Sequence, residues 1–197
     1  MQYTLTCETH EKDINILVHE SVYIPNRFQQ KLISRQLILA LFSTQGLNLE
    51  LNDIGLTIYG KPQILIQNQL LNFNISHTKN MTVAVCDPKP IGIDIESKDR
   101  LSTESSETLI DYIFDSCEQS QICLNTHSLI QIWTIKEAVL KASGYGLWGG
   151  VKNVSISMSS ISLGRALFLG NIYEVSLSDY KGFNVAIATK APSQAVP

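Results

Sequence analysis

An α+β fold made of two similar halves is the architecture predicted by this 197-residue sequence. Three observations predict it. Helical and strand periodicities interleave along the chain, as in an α+β protein. The segment 81–87 (Met-Thr-Val-Ala-Val-Cys-Asp) is echoed at 183–189 (Phe-Asn-Val-Ala-Ile-Ala-Thr), each with a Val-Ala-(Val/Ile) strand core. Between the two echoes, Asp87-Pro88-Lys89-Pro90 is the strongest break in the chain. The halves are therefore expected at residues 1–90 and 91–197.

The elements follow in order. Segments 3–7 and 14–19 alternate and open the chain as paired strands. Pro25 and Asn26 introduce a helix over 27–44, with Phe28, Leu32, Leu39 and Phe42 as its apolar stripe and Gly46 as its stop. Strands are expected at 54–59, ended by Gly60-Lys61-Pro62, and at 64–71, where Asn68 argues against an unbroken run. Segments 73–76 and 81–86 read as a strand pair about the turn His77-Thr78-Lys79-Asn80. A strand over 91–96 precedes a polar loop, and helical patterns follow at 107–125 and 128–143, stopped by Gly144-Tyr145-Gly146. Strands at 154–158, 167–169, 173–177 and 184–189 complete the second half, and the tail from 191 is expected to fray.

Bulk composition narrows the function. The chain is 44% apolar and 17% charged, as soluble globular proteins are. A net charge of −3 offers no nucleic-acid footprint, which needs a basic face. Cys7, Cys86, Cys117 and Cys123 form no CxxC pair and no zinc spacing, so they read as reduced thiols in the cytoplasm. The first twenty residues carry Glu8, Glu11, Lys12 and Asp13, unlike a secretory signal or anchor. The longest apolar run, 37–42, is too short to span a bilayer, so no membrane partner is expected.

Two segments carry the chemistry. In Gly92-Ile93-Asp94-Ile95-Glu96 the carboxylates of Asp94 and Glu96 share one strand face, roughly 7 Å apart by twice the strand rise. In the helix that follows, Trp133, Glu137 and Lys141 fall at i, i+4 and i+8 on one stripe, with Lys136 beside them. Each segment has an ordinary explanation when taken singly. An acidic strand end can simply face water, and most i,i+4 Glu–Lys pairs are surface ion pairs worth about 0.3–0.5 kcal/mol. Packed together, however, the two segments bring three carboxylates beside lysines. That set suits a hard divalent cation and a phosphate-bearing substrate, so the chain reads as a phosphoryl-group transferase. Ser76, His77, Lys79, Lys61 and Arg35 could add anion contacts, each unremarkable alone. His10, His19 and His127 are given no role.

The order of these pieces resembles the 4′-phosphopantetheinyl transferase superfamily, specifically the monomeric surfactin-synthetase-activating type. Four blocks carry the resemblance: Gly60-Lys61-Pro62; Phe73-Asn74-Ile75-Ser76-His77; Gly92-Ile93-Asp94-Ile95-Glu96; and Trp133-x-x-Lys136-Glu137-Ala138-x-x-Lys141-x-x-Gly144-x-Gly146. They span residues 60–146. The first 59 residues match loosely, and the last 50 match in β-rich character only.

The resemblance implies a pseudo-dimer of α+β halves with coenzyme A in the cleft between them. Asp94, Glu96 and Glu137 would be magnesium ligands. Lys141 would contact the pyrophosphate and assist the leaving group, with Lys136 nearby. Ser76, His77, Lys61 and Arg35 would hold the 3′-phosphate and adenosine end. The reaction it implies is transfer of the phosphopantetheine arm to a serine of an apo carrier protein, with release of adenosine 3′,5′-bisphosphate. Glu137 is the candidate base, directly or through water. The region 97–128 would meet the carrier, through Lys98, Arg100 or the apolar Leu109, Ile110, Ile113 and Phe114. A hydrolase cleaving a nucleotide pyrophosphate, and a non-catalytic binding module of the same fold, are the competing readings.

Overall fold

The computed structural model describes residues 1–58, 61–100, 106–114 and 128–192, with the side chains of 106–109 left out. Tyr59, Gly60, the helical pattern over 115–127 with Cys117, Cys123 and His127, and the tail from 193 lie outside the described residues.

The first half is a four-stranded antiparallel sheet with one helix. Strands β1 (Gln2–Cys7) and β2 (Ile14–Glu20) pair as expected, and helix α1 (Arg27–Ser43) follows. Asn26 opens α1 with a capping box: its side chain accepts from the Gln29 backbone N–H at 2.9 Å, and the Gln29 side chain accepts from the Asn26 N–H at 2.9 Å. The buried face of α1 is Gln30, Leu37, Ile38, Leu41 and Phe42. Phe28 and Leu32, expected on the apolar stripe, stand exposed, because each points to the side of the helix away from Gln30, whose face is the one turned to the sheet.

A small side sheet comes next: β3 (Ile54–Leu56), β4 (Pro62–Ile66) and β5 (Gln69–Leu70). The run 64–71 is thus a hairpin. Gln67 and Asn68 both take positive φ at its turn, as two-residue hairpin loops require. Strands β6 (Phe73–Thr78) and β7 (Met81–Cys86) complete the main sheet in the order β1-β2-β7-β6.

The second half opens with β8 (Ile91–Ser97), then α2 (Ser106–Ile113) and α3 (Leu129–Ser143). Ser128 caps α3 with Gln131, and Gly144 ends it at φ +86°, a left-handed conformation that favours glycine. Strands β9 (Ser155–Met158), β10 (Leu163–Phe168), β11 (Asn171–Tyr180) and β12 (Phe183–Lys190) pair with β8 in the order β8-β12-β11-β10-β9.

The echo strands explain how the halves join. Val83 and Val85 of β7, with Val185 and Ile187 of β12, share one buried cluster with Ile91, Ile93 and Ile95 of β8. Ala84 faces the other way into the α1 cluster, and Ala186 and Ala188 face the α3 cluster. Period-two alternation thus gives each central strand a β-branched face toward the opposite sheet and a small-residue face under its own helix. The molecule is an α+β pseudo-dimer. Its sheets also meet edgewise where β6 runs beside β8: the Asn74 side chain accepts a 3.4 Å hydrogen bond from the Ile93 backbone N–H.

Candidate functional site

Gly92 explains why a helix lies so near β8. A Cβ on Gly92 would stand 2.0 Å from the Ala138 carbonyl oxygen and 2.4 Å from the Ala142 nitrogen, so only glycine admits α3 at this distance. Gly92, Asp94 and Glu96 share the strand face under α3, while Ile91, Ile93 and Ile95 fill the core between the sheets. The strand is buried throughout, including both carboxylates.

The carboxylates meet their partners there. Lys141 donates to Asp94 Oδ1 at 2.5 Å and to Ser76 Oγ at 2.8 Å, and Ser76 Oγ donates to the same Asp94 oxygen at 2.7 Å. Glu137 Oε2 lies 3.7 Å from the Lys141 ammonium. Trp133 donates its indole N–H to Glu96 Oε1 at 3.0 Å, and Arg100 pairs with that same oxygen while stacking 5.2 Å from the Trp133 ring centroid. The stripe Trp133–Glu137–Lys141 therefore faces the acidic strand, and Ser76 reaches the same cluster from the other half.

Crowding shows in the titration of these groups. Burial first, and then the Asp94 charge, push the Glu137 carboxyl up to about 7. The same two causes raise Glu96. Burial works to lower Lys141, yet Asp94 and Glu137 together carry its ammonium above the usual lysine value.

The donor set and one orphaned atom bear on a cation. Asp94 Oδ2 is buried with no hydrogen-bond partner, an expensive state for a carboxylate oxygen. Three carboxylates converging on that region are the hard oxygen donors that magnesium selects. Among the described residues, however, no three Asp, Glu, His or Cys side chains already stand in a metal-holding group. The physical reason is visible: Lys141 holds Asp94 Oδ1, and Arg100 with Trp133 holds Glu96 Oε1. The residues fit the ion in kind, and Asp94 Oδ2 is a buried oxygen that no protein group holds.

The other candidates are dispersed. Lys136 is 1% exposed, and its ammonium donates to the Ile113 carbonyl at 2.9 Å and lies 5.2 Å from the Phe114 ring centroid, away from the carboxylates. Lys61 donates to the Lys141 carbonyl at 2.9 Å, tying the end of α3 to the first half, and burial lowers its pKa. His77 is exposed on β6, its imidazole held below the usual value by desolvation and then by Lys141. Arg35 is exposed on α1, outside the Asp94–Lys141 cluster. Lys79 pairs with Asp99 at 2.7 Å. Ile113 and Phe114 are buried against α3, which removes them from any carrier-facing surface.

Sequence reasoning expected a cleft between the halves but missed the residues just beyond the end of α3 that wall it beside Lys141. A cavity of about 340 Å³ lies between the halves, lined by Lys61, Pro62, Phe73, Tyr145, Leu147 and Trp148 among others. Trp148 is 83% exposed at this pocket. A tryptophan just beyond a helix stop, where a core residue is not needed, was the available signal. The roles of Gly92 and of the Arg100–Trp133 stack were likewise missed.

The family model of the 4′-phosphopantetheinyl transferase superfamily matches residues 90–188, half of the chain. The chain belongs to that superfamily. It is 33% identical over 95 residues to the 4′-phosphopantetheinyl transferase gsp of Aneurinibacillus migulanus, covering 46% of this chain and 37% of that one. To the 4′-phosphopantetheinyl transferase Sfp of Bacillus subtilis it is 29% identical over 160 residues, 75% of this chain and 69% of that one. Among solved structures, the Helicobacter pylori holo-acyl-carrier-protein synthase in complex with coenzyme A aligns with a TM-score of 0.43 at 20% identity, covering 51% of this chain and 99% of that one.

Proposed function

We propose that this protein transfers the 4′-phosphopantetheine arm of coenzyme A to a serine of an apo acyl or peptidyl carrier protein, in a magnesium-dependent reaction. The observation that carries the reading is the cluster in which Ser76, Asp94, Glu137 and Lys141 meet between the halves, beside the aromatic-walled cavity. Membership of the superfamily and the relatives' names support the same chemistry.

In this reading Asp94, Glu96 and Glu137 hold the magnesium ion. The ion, when bound, supplies charge neutralisation on phosphate oxygens. Lys141 faces the pyrophosphate and steadies the leaving group, while Ser76, His77, Lys61 and the exposed Arg35 serve the 3′-phosphate and adenosine end. The carrier serine oxygen bonds to the β-phosphorus of coenzyme A as the bond to the adenosine bisphosphate oxygen breaks. Glu137 accepts the serine proton directly or through a water. Lys136 acts by holding the end of α2 against α3. The divide at residues 90 and 91 separates the two halves, and we place the protein in the cytoplasm as a monomer that binds neither nucleic acid nor membrane. No helix among the described residues is long and apolar enough to cross a bilayer.

Incubation with coenzyme A, magnesium and a panel of apo carriers, read by mass spectrometry, tests the proposal. The expected result is one phosphopantetheine added to a serine of at least one carrier. Release of adenosine bisphosphate with no carrier present would instead establish the hydrolase.

A further inference from the structure

Asn184 on β12 is 1% exposed, and its side-chain Nδ2 has no hydrogen-bond partner. It lies directly across the ladder from Glu96, just as Ala186 lies across from Asp94. It also lies on the face that α3 covers, since Ala186 and Ala188 pack into the helix cluster while Val185 and Ile187 point between the sheets. Directly opposed side chains on neighbouring strands have Cβ atoms about 4.5–5.5 Å apart, so the amide is within reach of the Glu96 carboxylate by a side-chain rotation.

A buried donor without a partner is costly and rare. The other half shows that the position does not require one. In the echo strand the residue matching Asn184 is Thr82, also 1% exposed, and its hydroxyl accepts a 2.9 Å hydrogen bond from Gln30 of α1. The unpaired amide thus belongs to the half that carries the acidic cluster. Among the described residues, the other orphaned polar atom on the same sheet face is Asp94 Oδ2. Meanwhile Glu96 Oε1 is taken by Trp133 and Arg100.

We propose that Asn184 is a positioning residue for Glu96: its amide donates to the Glu96 carboxylate when that group turns from Arg100 toward a divalent cation shared with Asp94 and Glu137. The inference rests on the magnesium reading of the site. A carboxylate that ligates through one oxygen is free to swing unless its other oxygen is held, and outer partners of this kind set ligand orientation. A neutral amide does this without drawing the carboxylate charge away from the cation, as Arg100 does. The unpaired donor is therefore a cost carried by the cation-free state and relieved on binding.

The test measures magnesium binding by calorimetry and by thermal shift, without coenzyme A or carrier. In chelator, Asn184→Leu is expected to melt at or above wild type, because it removes a buried unpaired donor at similar volume. Its magnesium affinity is expected to fall roughly tenfold or more. The isosteric pair Asn184→Thr and Asn184→Val differs only in a hydroxyl donor, and the threonine variant is expected to bind magnesium more tightly. Equal affinity of wild type and Asn184→Leu, or of the Thr and Val variants if the Leu variant does not fold, overturns the inference and leaves the magnesium site standing. Absence of any magnesium response in wild type overturns both.

Discussion

Asp94 holds the site together through one oxygen and leaves the other bare. Oδ1 takes Lys141 and Ser76, so the aspartate joins β6, β8 and α3, while its charge also helps to hold a proton on Glu137. The consequence for pH can be measured. Glu137 titrates near 7 in the folded protein against an ordinary 4.5, so the folded state binds the proton more tightly than the unfolded chain does. Its contribution to stability is therefore fully present below about pH 4.5 and is lost as pH rises through about 7. Glu96 is raised in the same direction and adds to the slope. In the metal-free protein the thermal midpoint should fall over that window, and Glu137→Gln should flatten the fall. Asp94→Asn should also flatten it, by removing the negative charge that, after burial, does most to raise Glu137, and should abolish carrier modification while the circular dichroism stays native. Carrier modification surviving in Asp94→Asn would show that the metal ligands have been misassigned.

At the scale of elements, the contact between α3 and β8 decides whether two ordinary motifs become one site. That contact depends on Gly92, since a methyl group there would overlap the helix backbone at Ala138 and Ala142. Gly92→Ala must push α3 outward, carrying Trp133, Glu137 and Lys141 away from Asp94 and Glu96. The expected cost is about 1–3 kcal/mol of stability, typical of overpacking, together with loss of magnesium-dependent stabilisation. Denaturant melts with and without magnesium would reveal both, and a variant with wild-type magnesium response would mean that the spacing is not critical. Lys136 projects from another face of the same helix. Its ammonium caps the Ile113 carbonyl and packs on Phe114, so it secures α2 where the motif alone suggested a substrate contact.

The whole molecule is organised by a core that neither half owns. Met81, Val83 and Val85 of the first half interleave with Ile91, Ile93, Ile95, Val185 and Ile187 of the second. A bridge at the rim reinforces this: Lys181 donates to Glu20 at 2.9 Å and lies 5.3 Å from the Tyr3 ring centroid. Removing apolar bulk from this shared layer should loosen both halves together. Ile93→Ala, at a fully buried position, should cost about 2–5 kcal/mol and lower a single calorimetric transition. Two separated transitions, only one of them moved, would show that the halves fold independently.

Periodicity, punctuation and motif order made much of this legible from residues alone. Alternation located nearly every strand, Asn26 and Gly144 marked helix ends, and the spacing of Trp133, Glu137 and Lys141 put three side chains on one stripe. These are local properties, set by backbone geometry over a few residues. The exposed Phe28, the displaced Lys136, the Arg100 stack on Trp133 and the unpaired Asn184 were not legible. Each depends on which face of one element meets another distant in sequence, and a single chain's pattern does not encode that pairing. Carboxylates and lysines on compatible faces could be read in advance. Only the close passage of α3 over Gly92, and of β6 beside β8, decided which of their atoms are paired and which are left bare.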